Sequence, residues 1–286
     1  MTQQKPHAKP QVHTREHRAI APSPAASAAQ KSPLGKRIAL GIAFAAWTVA
    51  AFVGAQLVLL AIVWGASQTD VTLPVYLNDT VLQTTVSVVV YVLTLALVIG
   101  LPWKLFGQKL SWGDIGLAQP LPTWRDIGLA PVVFVVSLLA TGLMMYLASV
   151  VLPGVDMETK QQVGFENLTQ RYEMLLAFFT LVVLAPICEE LLFRGYLYGR
   201  VRKYYNVFWA VALTSLVFGL MHVYAGPGMP LQWNVMIGTT VLAVFIGMLR
   251  EYTGGVWAGV LVHMLKNGVA FFVLFVAPLL GVSLVQ

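Results

Sequence analysis

Charge is what this sequence has least of. Only 10% of its 286 residues are Asp, Glu, Lys or Arg, against about 25% in a soluble domain. Hydrophobic residues make up 58% and the mean hydropathy is +0.74. A water-soluble globular domain is thereby excluded, and an integral membrane protein is expected. The net charge of +6 does not point to a nucleic-acid partner. Seven of the 18 Lys and Arg precede residue 38, where Glu16 is the one acid, and the others sit mostly in short loops between apolar runs, where they set orientation. A single cysteine, Cys188, excludes an internal disulfide and reads as a small apolar filler. Histidine is scarce too. His7, His13 and His17 lie near the N-terminus, which leaves His222 and His263 for the rest of the chain, each inside an apolar run. The pattern His-Glu-x-x-His is missing, so no single helix offers two zinc ligands and a base.

What the chain does have is long apolar runs. By the criterion of about 20 apolar residues, spans are expected over 38–64 and near 81–101, 127–152, 174–200, 207–224, 231–249 and 255–276. The fold class is therefore all-α, a polytopic transmembrane helical bundle of about seven spans, or eight if 255–286 divides into two short helices. Residues 1–37 lack apolar periodicity and read as a disordered cytoplasmic tail. Residues 38–152 form N-terminal transmembrane helices, and 153–286 a core that holds the polar outliers. Residues 102–126, with Trp103, Trp112 and Trp124, read as an interfacial amphipathic piece or a loop with aromatic anchors. The basic residues alternate from loop to loop. Lys104, Lys109 and Arg125 fall on the side of the basic tail, as do Arg200, Arg202, Lys203 and Arg250, whereas loop 66–80 carries only Asp70 and Asp79. That alternation places the N-terminus in the cytoplasm of a multi-pass cell-membrane protein with lipids as its surroundings.

Inside the fourth span stand two adjacent acids, Glu189 and Glu190. Each carboxylate at bilayer depth costs roughly 2.5–3.5 kcal/mol on insertion scales, and adjacent ones repel. Arg194, one turn beyond Glu190, is the expected ion-pair partner. Glu189 points about 100° away and is free to face a cavity. If spans four and five form an antiparallel hairpin, the midpoint of Glu189 and His222 falls between Tyr205 and Asn206, just past the basic turn. Glu189 then lies roughly 16 Å from Arg200 along the axis, and His263 roughly 20 Å from Arg250. The three polar outliers share a level within about two turns. His263 and Asn267 are four apart and can reach one bound group, and Phe218 can pack on the ring of His222. Lys266, beside them, is expected to pack or to find its own acceptor.

Three motifs, in order and in separate spans, carry a resemblance: Glu189-Glu190-Leu-Leu-Phe-Arg194, Phe218-Gly-Leu-Met-His222 and His263-Met-Leu-Lys-Asn267. Together they resemble the CPBP family of CAAX proteases and bacteriocin-processing enzymes, which includes the Rce1-type proteases. The resemblance covers about residues 170–270. It implies an intramembrane endopeptidase that hydrolyses a peptide bond of a membrane-associated peptide or protein through a glutamate-activated water. By the same resemblance Glu189 is the general base, and His222 assists the water or the leaving group. His263 and Asn267 stabilise the oxyanion, while Glu190, held by Arg194, orients the site. The family is often labelled metalloprotease. Zinc held by His222 and His263 with a Glu would give an open three-ligand site, but a metal-free mechanism suits these residues equally. Relatives that act as non-proteolytic scaffolds or bacteriocin-immunity proteins keep a second function class open. A proton-coupled transporter is a third class, but the sequence shows no paired broken helices or two-fold hydropathy repeat of the kind transporters often display.

Overall fold

The computed structural model describes residues 32–68, 79–107, 110–152, 164–165, 168–223 and 231–282. The tail foreseen over 1–37 falls almost wholly outside them. Every regular element among the described residues is helical, as hydrocarbon demands of a chain that must satisfy its backbone within the segment. Seven apolar helices follow in order: α1 (Leu34–Ser67), α2 (Asp79–Leu105), α3 (Trp124–Val151), α4 (Arg171–Val201), α5 (Val207–Leu220), α6 (Trp233–Thr253) and α7 (Trp257–Val276). Six are long and apolar enough to cross a membrane, and α5 is a shorter apolar helix. The expected seven segments are therefore present. The perimeter carries exposed Leu60, Leu139, Leu147 and Phe208, as a lipid-facing surface should.

Caps set the helix boundaries. Thr123 starts α3, its hydroxyl accepting the amide of Asp126 while the Asp126 carboxylate accepts the amide of Thr123. Asn206 caps α5 by accepting the amide of Trp209 at 3.0 Å. The fifth span was expected to run to 224, but the helix ends at Leu220 after 14 residues. His222 lies in the turn beyond it rather than inside a helix. Apolar residues continue past the end, so hydropathy alone does not mark it.

α6 is the central post, packed along α5 on one side and α3 and α7 on the others, while α1 and α2 pair, α2 leaning mainly on the first half of α4 and α1 on the second. Close approach at the centre depends on Gly259 of α7. A Cβ there would stand 2.5 Å from Ile246 and 3.3 Å from Glu190 Oε2. The segment between α2 and α3 is a loop rather than an amphipathic helix. It folds back beneath the bundle so closely that a Cβ on Gly199 would meet the Asp114 carbonyl oxygen at 2.5 Å, and it leaves Trp112 and Trp124 exposed. Basic residues assigned above to one side do gather at one end. Lys203 pairs with Asp114 at 3.2 Å and Arg202 with Glu251 at 2.9 Å, while Arg37 donates to the Tyr204 carbonyl at 2.8 Å. Arg250, read above as a loop charge, is buried and donates to the carbonyls of Arg194, Gly254 and Asp114.

Candidate active site

Glu189 and Glu190 occupy the middle of α4, between two π-helical stretches at Phe179–Leu184 and Leu191–Leu197. Such stretches shift the helical register and recur at functional sites. The 100° step between the two acids separates their fates. Glu190 is fully buried, and its Oε1 accepts from Arg194 Nη1 at 3.0 Å and from His263 Nδ1 at 3.2 Å. Arg194 also donates to the Ala243 carbonyl at 3.1 Å and lies 4.7 Å from the centre of the Phe218 ring. One ion pair thus joins α4, α5, α6 and α7.

Glu189 faces the other way, into a cavity of about 220 Å³ that it lines with Tyr91, His222, His263, Lys266 and Asn267. The Tyr91 hydroxyl donates to Glu189 Oε1 at 2.7 Å. The other carboxylate oxygen, Oε2, is buried without a hydrogen-bond partner. His222 Nε2 stands 3.6 Å from it and His263 Nε2 3.9 Å.

The outer nitrogens decide what these rings present. His222 Nδ1 is 2.7 Å from the Phe218 carbonyl oxygen, which can only accept, so that nitrogen carries a proton. His263 Nδ1 faces the Glu190 carboxylate and carries one for the same reason. In the neutral rings both Nε2 atoms are acceptors. Three acceptors therefore converge on one point, which suits a small molecule that donates two hydrogens. Phe218 fixes the rings from behind, its centroid 4.4 Å from that of His222 and 5.8 Å from that of His263.

Asn267 is placed by a chain of consequences that begins at Pro186. In the preceding π register the Ala185 amide reaches back five residues to the Thr180 carbonyl. The next amide would reach Leu181, but Pro186 has no amide hydrogen. The Leu181 carbonyl is left over, and Asn267 Nδ2 donates to it at 2.8 Å. The second hydrogen of that amide remains for the cavity that Asn267 lines.

All the residues singled out from the sequence meet here, with Glu190, Arg194 and Phe218 forming the wall behind the cavity rather than its lining. Tyr91 was missed. A tyrosine in an apolar run is ordinary, and only its position opposite Glu189 marks it.

Residues 171–269 match the family model of the Rce1-like type II CAAX prenyl endopeptidases. That stretch is a domain similar to this family. The domain opens with α4 and closes within α7, so it holds Glu189, Glu190, Arg194, Phe218, His222, His263 and Asn267. Tyr91 reaches it from outside the matched stretch. The family so matched is one of proteases. No curated protein and no solved structure matches the chain.

Proposed function

We propose that this protein is an intramembrane endopeptidase that cleaves a membrane-associated peptide or protein with a water activated by Glu189. The observation that carries the reading is the convergence of buried, unpartnered Glu189 Oε2 with two imidazole Nε2 atoms at 3.6 and 3.9 Å on one side of a cavity. A water there donates one hydrogen to Glu189 and one to an imidazole, which turns its lone pair toward a substrate carbonyl.

Glu189 takes a proton from that water as its oxygen bonds to the carbonyl carbon. The oxyanion so formed accepts from the second N–H of Asn267, whose direction is fixed by the Leu181 bond. His263 donates to the same oxygen in the form that carries a proton on Nε2 as well as on Nδ1. Glu189 then passes its proton to the leaving nitrogen, directly or through His222, and the C–N bond breaks. One water and one peptide bond become a carboxylic acid and an amine.

Zinc accepts donors of these types, but among the described residues no group of three or more His, Cys, Asp or Glu side chains is set to hold an ion. The reading therefore runs on side chains alone.

Wild type and Glu189→Ala, purified in detergent, should be compared on a quenched fluorescent peptide library with and without EDTA. Loss of the base should slow cleavage by about 10²–10⁴-fold, and EDTA should leave the wild-type rate unchanged. Equal rates in the two proteins would sink the hydrolase reading. Loss of activity with EDTA, restored by zinc, would replace the side-chain mechanism with a metal one.

A further inference from the structure

Lys266 has no acceptor among the described residues. It lies on α7 between His263 and Asn267 and lines the same cavity as Glu189. Among the described residues its ammonium makes no hydrogen bond and no ion pair. The cavity's one carboxylate, Glu189, takes the Tyr91 hydroxyl and faces the two histidines. The neighbouring acid in the sequence, Glu190, is fully buried and taken by Arg194. The remaining walls include Leu181, Phe271, Leu274 and Phe275, which carry no side-chain acceptor, and Thr239, whose hydroxyl donates to the Val235 carbonyl.

A lysine at bilayer depth costs as much as the acids do, and such residues pair or serve a transported or bound group. Here no pairing is found among the described residues, and a ligand would supply it. We propose that Lys266 is a carboxylate-binding subsite, which holds a carboxylate of the substrate one or two residues from the bond that is cut. The distance follows from the helix: Lys266 is three residues, roughly 4.5 Å of rise, past His263, and an extended peptide advances roughly 3.3–3.6 Å per residue. The proposal rests on the hydrolase reading for the word substrate, and on the cavity alone for the carboxylate. The carboxylate belongs either to the C-terminus of the substrate or to an Asp or Glu side chain.

Two measurements test it. The first compares cleavage of quenched peptides with a free C-terminal acid against their amides, and of peptides with Glu against Gln at each position. Wild type should favour one acid form by about 10–100-fold in kcat/KM, the range of a charge-assisted hydrogen bond at a desolvated site. Lys266→Met should lose that preference through KM while amide substrates keep their kcat, and Lys266→Arg should restore part of it. A preference confined to free C-termini assigns the first source, and one confined to side chains the second. A wild type indifferent to both, or a Lys266→Met that slows every substrate equally, overturns the proposal, the latter by showing that Lys266 serves Glu189.

The second measurement does not depend on hydrolysis. A fluorescent acyl Val-Val-Leu, as acid and as amide, is titrated onto Glu189→Gln protein with and without Lys266→Met. Tighter binding of the acid that disappears with Lys266→Met supports the subsite even if no peptide is cleaved. Equal binding of acid and amide overturns it, whatever the cleavage assay shows.

Discussion

Two glutamates joined by one peptide bond have opposite surroundings here, and the difference divides their work. Glu190 is sealed in with a guanidinium, so its charge is fixed in place, whereas the Glu189 side chain is 15% exposed to a cavity and held by a single phenol. Tyr91 thus sets the carboxylate plane. Tyr91→Phe removes that donor and leaves Glu189 Oε1 free to turn within the cavity it lines. We expect kcat to fall by about tenfold or more with the thermal midpoint in detergent little changed, and a matched pair of peptide kinetics and melting curves checks this. A variant as active as wild type would show that the phenol does not position the base. The acids, Arg194 and the two histidines were legible in the sequence because charge and imidazole are rare in apolar runs. Tyr91 was not, because tyrosine is common in such runs and its partner lies 98 residues away.

At the scale of elements, α4 is held to α7 by a bond that exists because a helix was interrupted. Pro186 and the π turn before it release the Leu181 carbonyl, and Asn267 accepts the task of filling it. Replacing Asn267 with Leu strands that carbonyl and should lower stability by about 1–3 kcal/mol. Pro186→Ala returns an amide that can take the carbonyl instead, so Asn267→Leu should cost less in that background. A double-mutant cycle on unfolding in mixed detergent measures the coupling; zero coupling would disconnect the two residues. The proline was visible in the sequence, but the helical register that makes it matter was not. The end of α5 was hidden likewise, since hydropathy continues beyond Leu220 while the helix does not.

Across the whole molecule, the Glu190–Arg194 pair is the point where four helices agree. Arg194→Met leaves Glu190 buried without its cation, a loss of about 3–5 kcal/mol for a pair broken on one side. The variant should accumulate poorly and unfold early, and Arg194→Met with Glu190→Gln should recover part of the loss, as read by unfolding midpoints of the purified proteins. A double variant no better than the single one would locate the role of Arg194 in its bonds to the Ala243 carbonyl and Phe218 instead. The general architecture was legible because the bilayer admits few solutions: apolar runs of sufficient length become helices. Their neighbours were not legible. Hairpin arithmetic put the polar residues at one level, but it could not reveal that the α2–α3 loop folds under α4 or that Arg250 turns inward to bond three carbonyls.

The placement of partners along the chain also has a consequence for biosynthesis. Glu190 carries its counter-ion four residues away on its own helix, so that charge can enter the bilayer already neutralised as α4 leaves the ribosome. Glu189 meets only Tyr91 among helices made earlier; His222, His263 and Lys266 are translated later. The cavity therefore closes last, when α7 docks, and a nascent chain halted before α7 would hold an inserted bundle with a bare, unarmed carboxylate.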